Sequence, residues 1–195
     1  LFYFSQCDLA RTITASQKAA ENDNPGPDSY WLFGSLSMLA EARDAKGEHA
    51  EAMATSERVV QLFPEREFGH IRHFIHLYRA GEVDKARSYI GGFVSSLEKD
   101  TWGGTVARFY AGRITEKALM EASNSKVPRQ DAEQKCEAYY YLGIAQMLGV
   151  GTGGKSAPPD TVKAAEYFRA SVATGVFDYS EFWRSLGELN RLQGM

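Results

Sequence analysis

The fold is decided by two stretches, Gly47-Glu48-His49-Ala50-Glu51-Ala52 and Gly81-Glu82-Val83-Asp84-Lys85-Ala86, which begin 34 residues apart. Each glycine separates two amphipathic stretches, and each stretch carries an alanine five residues after its glycine. A fixed period of about 34 residues is typical of stacked helix–turn–helix units. Such units cannot bury their apolar faces alone, so neighbouring units must stack on one another. The pattern therefore favours a binding scaffold over a catalyst.

The composition excludes several classes of protein. The chain has 195 residues, a formal net charge of −3 and a hydrophobic share of 44%, all ordinary for a globular domain. The charge gives no general attraction to nucleic acid, and no apolar run is long enough to cross a bilayer. Cys7 and Cys136 are far apart and indicate neither a disulfide framework nor a metal cage. We expect them to be buried free thiols.

Helical periodicity punctuated by turn residues predicts an all-α fold in a single domain over residues 1–195. Its predicted parts are an N-terminal helix and turn at 1–27, helical hairpins at 28–64, 65–98, 99–124 and 131–175, and a C-terminal capping helix at 178–195. The polar segment 123–130, which contains Pro128, is predicted to be a surface loop. Residues 149–159 are predicted to form a loop inserted into the last hairpin, and Asp160 or Thr161 to cap the helix that follows.

Several of these residues carry a family resemblance. Tyr139-x-x-Leu142-Gly143 and Trp183-x-x-Leu186-Gly187 resemble the first-helix signature of tetratricopeptide repeats, and Ala164-x-x-x-Phe168 resembles the signature of the second helix. The stretch from 139 to 175 is also similar to Sel1-like repeats. The resemblance implies a right-handed superhelical solenoid whose first helices line a concave surface. In such repeats a glycine allows two helices to approach closely and a large residue fills the space between them.

A longer resemblance covers residues 102–143. Trp102-Gly103, Phe109-Tyr110, Ile114-Thr115-Glu116 and Tyr141-Leu142-Gly143 are similar to the middle of the NlpI family of bacterial lipoproteins. That family is built of tetratricopeptide repeats and serves as an adaptor at the outer membrane. The resemblance implies a periplasmic or outer-membrane-associated protein; without it, we would expect a cytoplasmic one.

The predicted function is the noncatalytic binding of a peptide or a partner protein in a concave apolar groove. Large side chains at helical spacing, surplus to those needed for the core, indicate such a groove. Its predicted residues are Phe68, Ile71, Ile75, Tyr78, Arg79, Tyr140, Ile144 and Met147. Arg79 and the neighbouring Arg72 are predicted to pair with acidic groups of the partner. We expect no enzymatic activity, no catalytic residue, no cofactor and no bound metal.

Two alternatives remain open. In the first, the chain associates with itself as a homodimer through outward apolar residues such as Phe2, Phe4 and Phe182. In the second and weaker alternative, residues 149–156 bind a nucleotide, because Gly149-Val150-Gly151-Thr152-Gly153-Gly154-Lys155-Ser156 matches a phosphate-binding loop. That loop needs a strand before it, whereas the preceding residues predict a helix.

His70, His73 and His76 recur every three residues on one predicted helix. Each step turns the side chain by about 60° around the helix, so the three do not readily converge on one ion. We expect one or two of them to pack between helices and the others to meet solvent.

Overall fold

The computed structural model describes residues 9–22, 30–150 and 157–194, through which ten helices run. In chain order they are α1 (Leu9–Asn22), α2 (Tyr30–Ala45), α3 (His49–Leu62), α4 (Glu67–Arg79), α5 (Val83–Ser96), α6 (Trp102–Tyr110), α7 (Glu116–Ala122), α8 (Pro128–Leu148), α9 (Thr161–Ala173) and α10 (Ser180–Gln193). Helix accounts for 78% of the described residues, which include no strand, so the prediction of an all-α fold is confirmed. The predicted start of the first helix, along with Phe2 and Phe4, falls outside the described residues.

The glycines that set the sequence period, Gly47 and Gly81, follow the ends of α2 and α4. Gly47 and Gly81 have φ angles of 87° and 84°, a left-handed conformation that only glycine adopts without strain. The N–H of the next residue bonds to the carbonyl oxygen five residues before it, at 2.9 Å after Gly47 and 3.0 Å after Gly81. The same bond follows Gly112 and Gly149, at 2.8 and 2.9 Å. This closure satisfies carbonyl groups that the helix end would leave unpaired.

The chain divides into two compact units, Leu1–Phe93 and Val94–Met195, and the division falls within α5. In the first unit α2 packs against both α1 and α3, and α3 packs against α4. Ala52 and Ala86, the alanines of the repeat, are completely buried. A single continuous superhelix stays a prediction.

In the second unit the core is rich in aromatic side chains. The hydroxyl of Tyr110 on α6 donates a hydrogen bond of 2.7 Å to the carbonyl oxygen of Tyr141 on α8, and the two rings meet edge to face. Burying a tyrosine requires such a partner for its hydroxyl. Asp160 caps α9 by accepting a bond of 2.9 Å from the N–H of Lys163, as predicted.

One predicted boundary is wrong. The segment 123–130 was expected to be entirely loop, but α8 already begins at Pro128. Proline is favoured in the first helical turn, because the N–H that it lacks would have no partner within the helix there. Pro128, which was placed in the predicted loop, is therefore the first residue of α8.

The tryptophans occupy different surroundings. The side chain of Trp31, at the start of α2, is 78% exposed. The indole N–H of Trp102 donates to a carboxylate oxygen of Glu137 at 2.6 Å, and that of Trp183 donates to the carbonyl oxygen of Phe177 at 2.7 Å. None of the described helices combines the length and apolar character needed to span a membrane.

Candidate functional site

Two ion pairs join α2 to α4 in the first unit. Glu41 and Asp44 lie one turn apart on α2, and Arg72 and Arg79 lie two turns apart on α4. Arg72 Nε is 3.3 Å from Glu41 Oε1, and both side chains are only 13% exposed. Arg79 donates to Asp44 Oδ2. Because these charges are largely shielded from water, each holds its partner in place more firmly than a surface pair would.

Asp44 is the centre of this arrangement. Its side chain is 2% exposed and also contacts His49, whose Nδ1 lies 2.9 Å from Oδ1. His49 is the first residue of α3, so one carboxylate ties together three helices. Burial alone would raise the pKa of Asp44, but the Arg79 guanidinium and the nearby His76 ring hold it well below its usual range. The carboxylate is therefore ionised over the whole physiological range of pH.

The histidines of α4 do not share a site. His70 Nε2 lies 2.8 Å from the carbonyl oxygen of Pro64, and its Nδ1 lies 2.5 Å from the Tyr89 hydroxyl. His73 Nδ1 bonds to Ser56 Oγ at 2.8 Å. Burial, together with the smaller effects of the neighbouring His76 and Lys85, lowers the pKa of His73 to about 4. Across the part of the chain that the structure describes, no three His, Cys, Asp or Glu side chains are placed to hold a metal ion.

The predicted groove residues of α4 divide into two groups. Ile71 and Ile75 are 0% and 5% exposed, so the middle of the predicted stripe lies inside the unit. Phe68 and Tyr78, at its two ends, each keep part of the side chain at the surface. Helix phase alone could not separate these groups, because burial depends on which neighbouring helices cover each turn.

Arg72 and Arg79 were expected to pair with acidic groups of a partner, but the structure pairs them with Glu41 and Asp44 of the same unit. Sequence reasoning missed these two acids as internal partners. A signal was available, since each acid precedes its arginine by close to one repeat period. Residues one period apart occupy matching places in successive helical hairpins.

The remaining predicted groove residues lie on α8, in the second unit. Tyr140 and Ile144 are 8% and 0% exposed, and the Tyr140 ring packs against those of Tyr141 and Phe168. Met147 is partly exposed, close to the end of the helix. A binding role for these residues stays a prediction, and the two halves of the predicted groove belong to separate units.

Gly143 on α8 lies in close contact with the ring of Phe168 on α9. A Cβ atom at Gly143 would lie 2.5 Å from Cε1 of Phe168, closer than any real contact. Phe168 on α9 is completely buried and fills the space that the missing side chain leaves on α8. The pair sets how closely these two helices approach.

The glycine-rich loop begins at the end of α8. Gly149 has a φ angle of 66° and closes that helix, so a helix precedes the loop where a phosphate-binding loop has a strand. Residues 151–156, including Lys155 and Ser156, fall outside the described residues.

A scan against protein-family models finds no match for this chain, and a search of curated proteins finds no significant relative.

Proposed function

We propose that the chain is a noncatalytic scaffold that binds a segment of another protein at the two ends of α4, where side chains are partly exposed. The observation that carries this proposal is the contrast along that helix. Ile71, Phe74 and Leu77 are completely buried and already supply its core contacts, whereas Phe68 and Tyr78 remain partly at the surface. Large aromatic side chains that are partly exposed are typical anchors of protein interfaces.

The ion pairs between α2 and α4 support this proposal. Binding loses less conformational entropy when the binding face already has its bound shape in the free protein. Arg72 and Arg79 reach across to α2 and fix the rotation of α4, and thereby the directions of Phe68 and Tyr78. In this proposal the two arginines position the binding face, and contacts with the partner come from the aromatic rings.

The helix ends support a repeat architecture. Four helices close with the same hydrogen bond after a left-handed glycine, and Gly143 admits Phe168 as in tetratricopeptide repeats. We therefore propose that the hairpins form a tetratricopeptide-like superhelix that serves as an adaptor. In the second unit, Met147 is the predicted groove residue that the structure leaves most available to a partner.

The test is an affinity pull-down from lysate of the source organism, comparing the wild type with a Phe68→Ala/Tyr78→Ala variant. Val162→Ala is the matched control, because Val162 is a 71% exposed apolar residue on α9 and lies outside the proposed face. Circular dichroism and thermal unfolding would verify that all three proteins are folded.

We expect the wild type and Val162→Ala to capture the same partner in similar amounts. The double variant should capture at least about tenfold less of it, since anchor residues each contribute about 2 kcal/mol or more to binding. If the folded double variant captures the same proteins in the same amounts, the ends of α4 are not the binding face.

A further inference from the structure

A small chamber lies between α2, α3 and α4. Its volume is about 10 Å³. It is lined by Ser37, Ala40, Ser56, Val59, Gly69, Arg72 and His76. The lining is thus partly polar, although every helix around it belongs to the core of the first unit.

Two polar side chains at this chamber have no hydrogen-bond partner among the described protein atoms. The first is Ser37, whose Oγ has no partner and which is only 4% exposed. The ring of His76 is the other, with a side chain that is 3% exposed. His76 Nδ1 lies 3.8 Å from Asp44 Oδ1, beyond hydrogen-bond distance, and Nε2 has no hydrogen-bond partner in the described protein. Leaving such groups unpaired costs about 1–3 kcal/mol each, so native proteins rarely do so.

Ser56 offers a third polar group. Its hydroxyl donates to the carbonyl oxygen of Met53 at 2.9 Å, so the 2.8 Å contact with His73 is a bond that His73 Nδ1–H donates to Ser56 Oγ. A hydroxyl oxygen has two lone pairs, and this bond uses one of them. One acceptor position on Ser56 therefore remains beside the chamber.

We propose that the chamber holds one ordered water molecule, which bridges Ser37 on α2, Ser56 on α3 and His76 on α4. The volume matches the requirement for a single water, roughly 10–15 Å³. The three polar groups also match the usual number of hydrogen bonds that a buried water makes, about three. The water donates to Ser56 Oγ and to His76 Nε2 and accepts from the Ser37 hydroxyl, so each group gains the partner that the protein does not supply.

The direct test is a crystal structure at a resolution that shows ordered solvent. We expect a water within hydrogen-bond distance of Ser37 Oγ and His76 Nε2. Well-ordered side chains around a chamber without density, or a direct bond between Ser37 and His76, would overturn the proposal.

Chemical unfolding of Ser37→Ala and Ser185→Ala gives a second test. Ser185 is also buried and its Oγ also has no described partner, but it lies on α10 and does not line the chamber. If Ser37 bonds to a water, its replacement leaves that water and His76 short of a partner, and the unfolding constant should rise by about fivefold to thirtyfold relative to wild type. If Ser37→Ala instead leaves stability unchanged or improved, its hydroxyl has no partner to lose and no bridging water is present.

Discussion

At the scale of single residues, buried side chains are defined by the groups they meet rather than by their spacing in sequence. Asp44 was not selected as a functional residue from the sequence, yet it contacts residues of α3 and α4. The three histidines of α4 were noticed because they recur, but each has different surroundings. A periodic pattern reveals which residues share a helix and not which atoms they will touch.

His73 gives a residue-scale prediction. Its pKa is lowered from 6.5 to about 4 in the folded protein, so the unfolded chain binds more protons between these values. We therefore expect the free energy of unfolding to fall as pH decreases from about 6.5 to about 4, by no more than about 1.4 kcal/mol per pH unit for this residue. Urea unfolding measured across this range would show it.

The matched variant is His73→Asn, which keeps an N–H donor for Ser56 and removes the titration. Its stability should fall less with acid than that of the wild type, although burial also lowers the pKa of His70, which adds to the slope in both proteins. Above about pH 8 the two proteins should show the same slope, since His73 is neutral in both the folded and the unfolded state there. Equal acid sensitivity of the two proteins would refute the assignment.

At the scale of helices, α8 and α9 approach each other closely at Gly143. In Gly143→Ala the new methyl group would meet the Phe168 ring, so we expect a loss of stability of about 1–3 kcal/mol by chemical unfolding. The control is Gly92→Ala on α5, where a Cβ would meet no atom within 4 Å. There the higher helix propensity of alanine should stabilise the protein by about 0.5–1 kcal/mol. A gain of stability in both variants would show that α8 and α9 can separate at little cost.

Helix positions follow well from the sequence because glycine, proline and capping residues act locally. Gly47 and Gly81 mark helix ends by their backbone freedom, and Asp160 marks a start by its side chain. Pro128 shows the limit, since proline both breaks a helix and begins one. The exposure of Ile71 or Tyr140 is harder to predict from the sequence, because it depends on which neighbouring helices cover the side chain. The packing of one helix on another also decides whether Arg79 faces an internal carboxylate or a partner.

At the scale of the whole molecule, the scaffold proposal predicts a monomer. Among the described residues of the second unit, the most exposed large apolar side chains are those of Val162 and Phe177, single residues of a kind common on protein surfaces. We expect light scattering to give the mass of one chain, 21.7 kDa, from low to high concentration. A dimer that forms with concentration and is lost in Phe182→Ala would favour self-association, because Phe182 is a partly exposed residue of the predicted dimer surface.

The placement of the tryptophans gives the molecule separate optical reporters. Trp31 lies in the first unit with most of its indole in water, whereas the indole N–H groups of Trp102 and Trp183 in the second unit are bonded to protein oxygens. A water-soluble quencher of fluorescence will therefore act first on Trp31. In a variant that keeps only Trp31, fluorescence reports on changes at the start of α2. In a variant that keeps only Trp102 and Trp183, it reports on changes in the second unit.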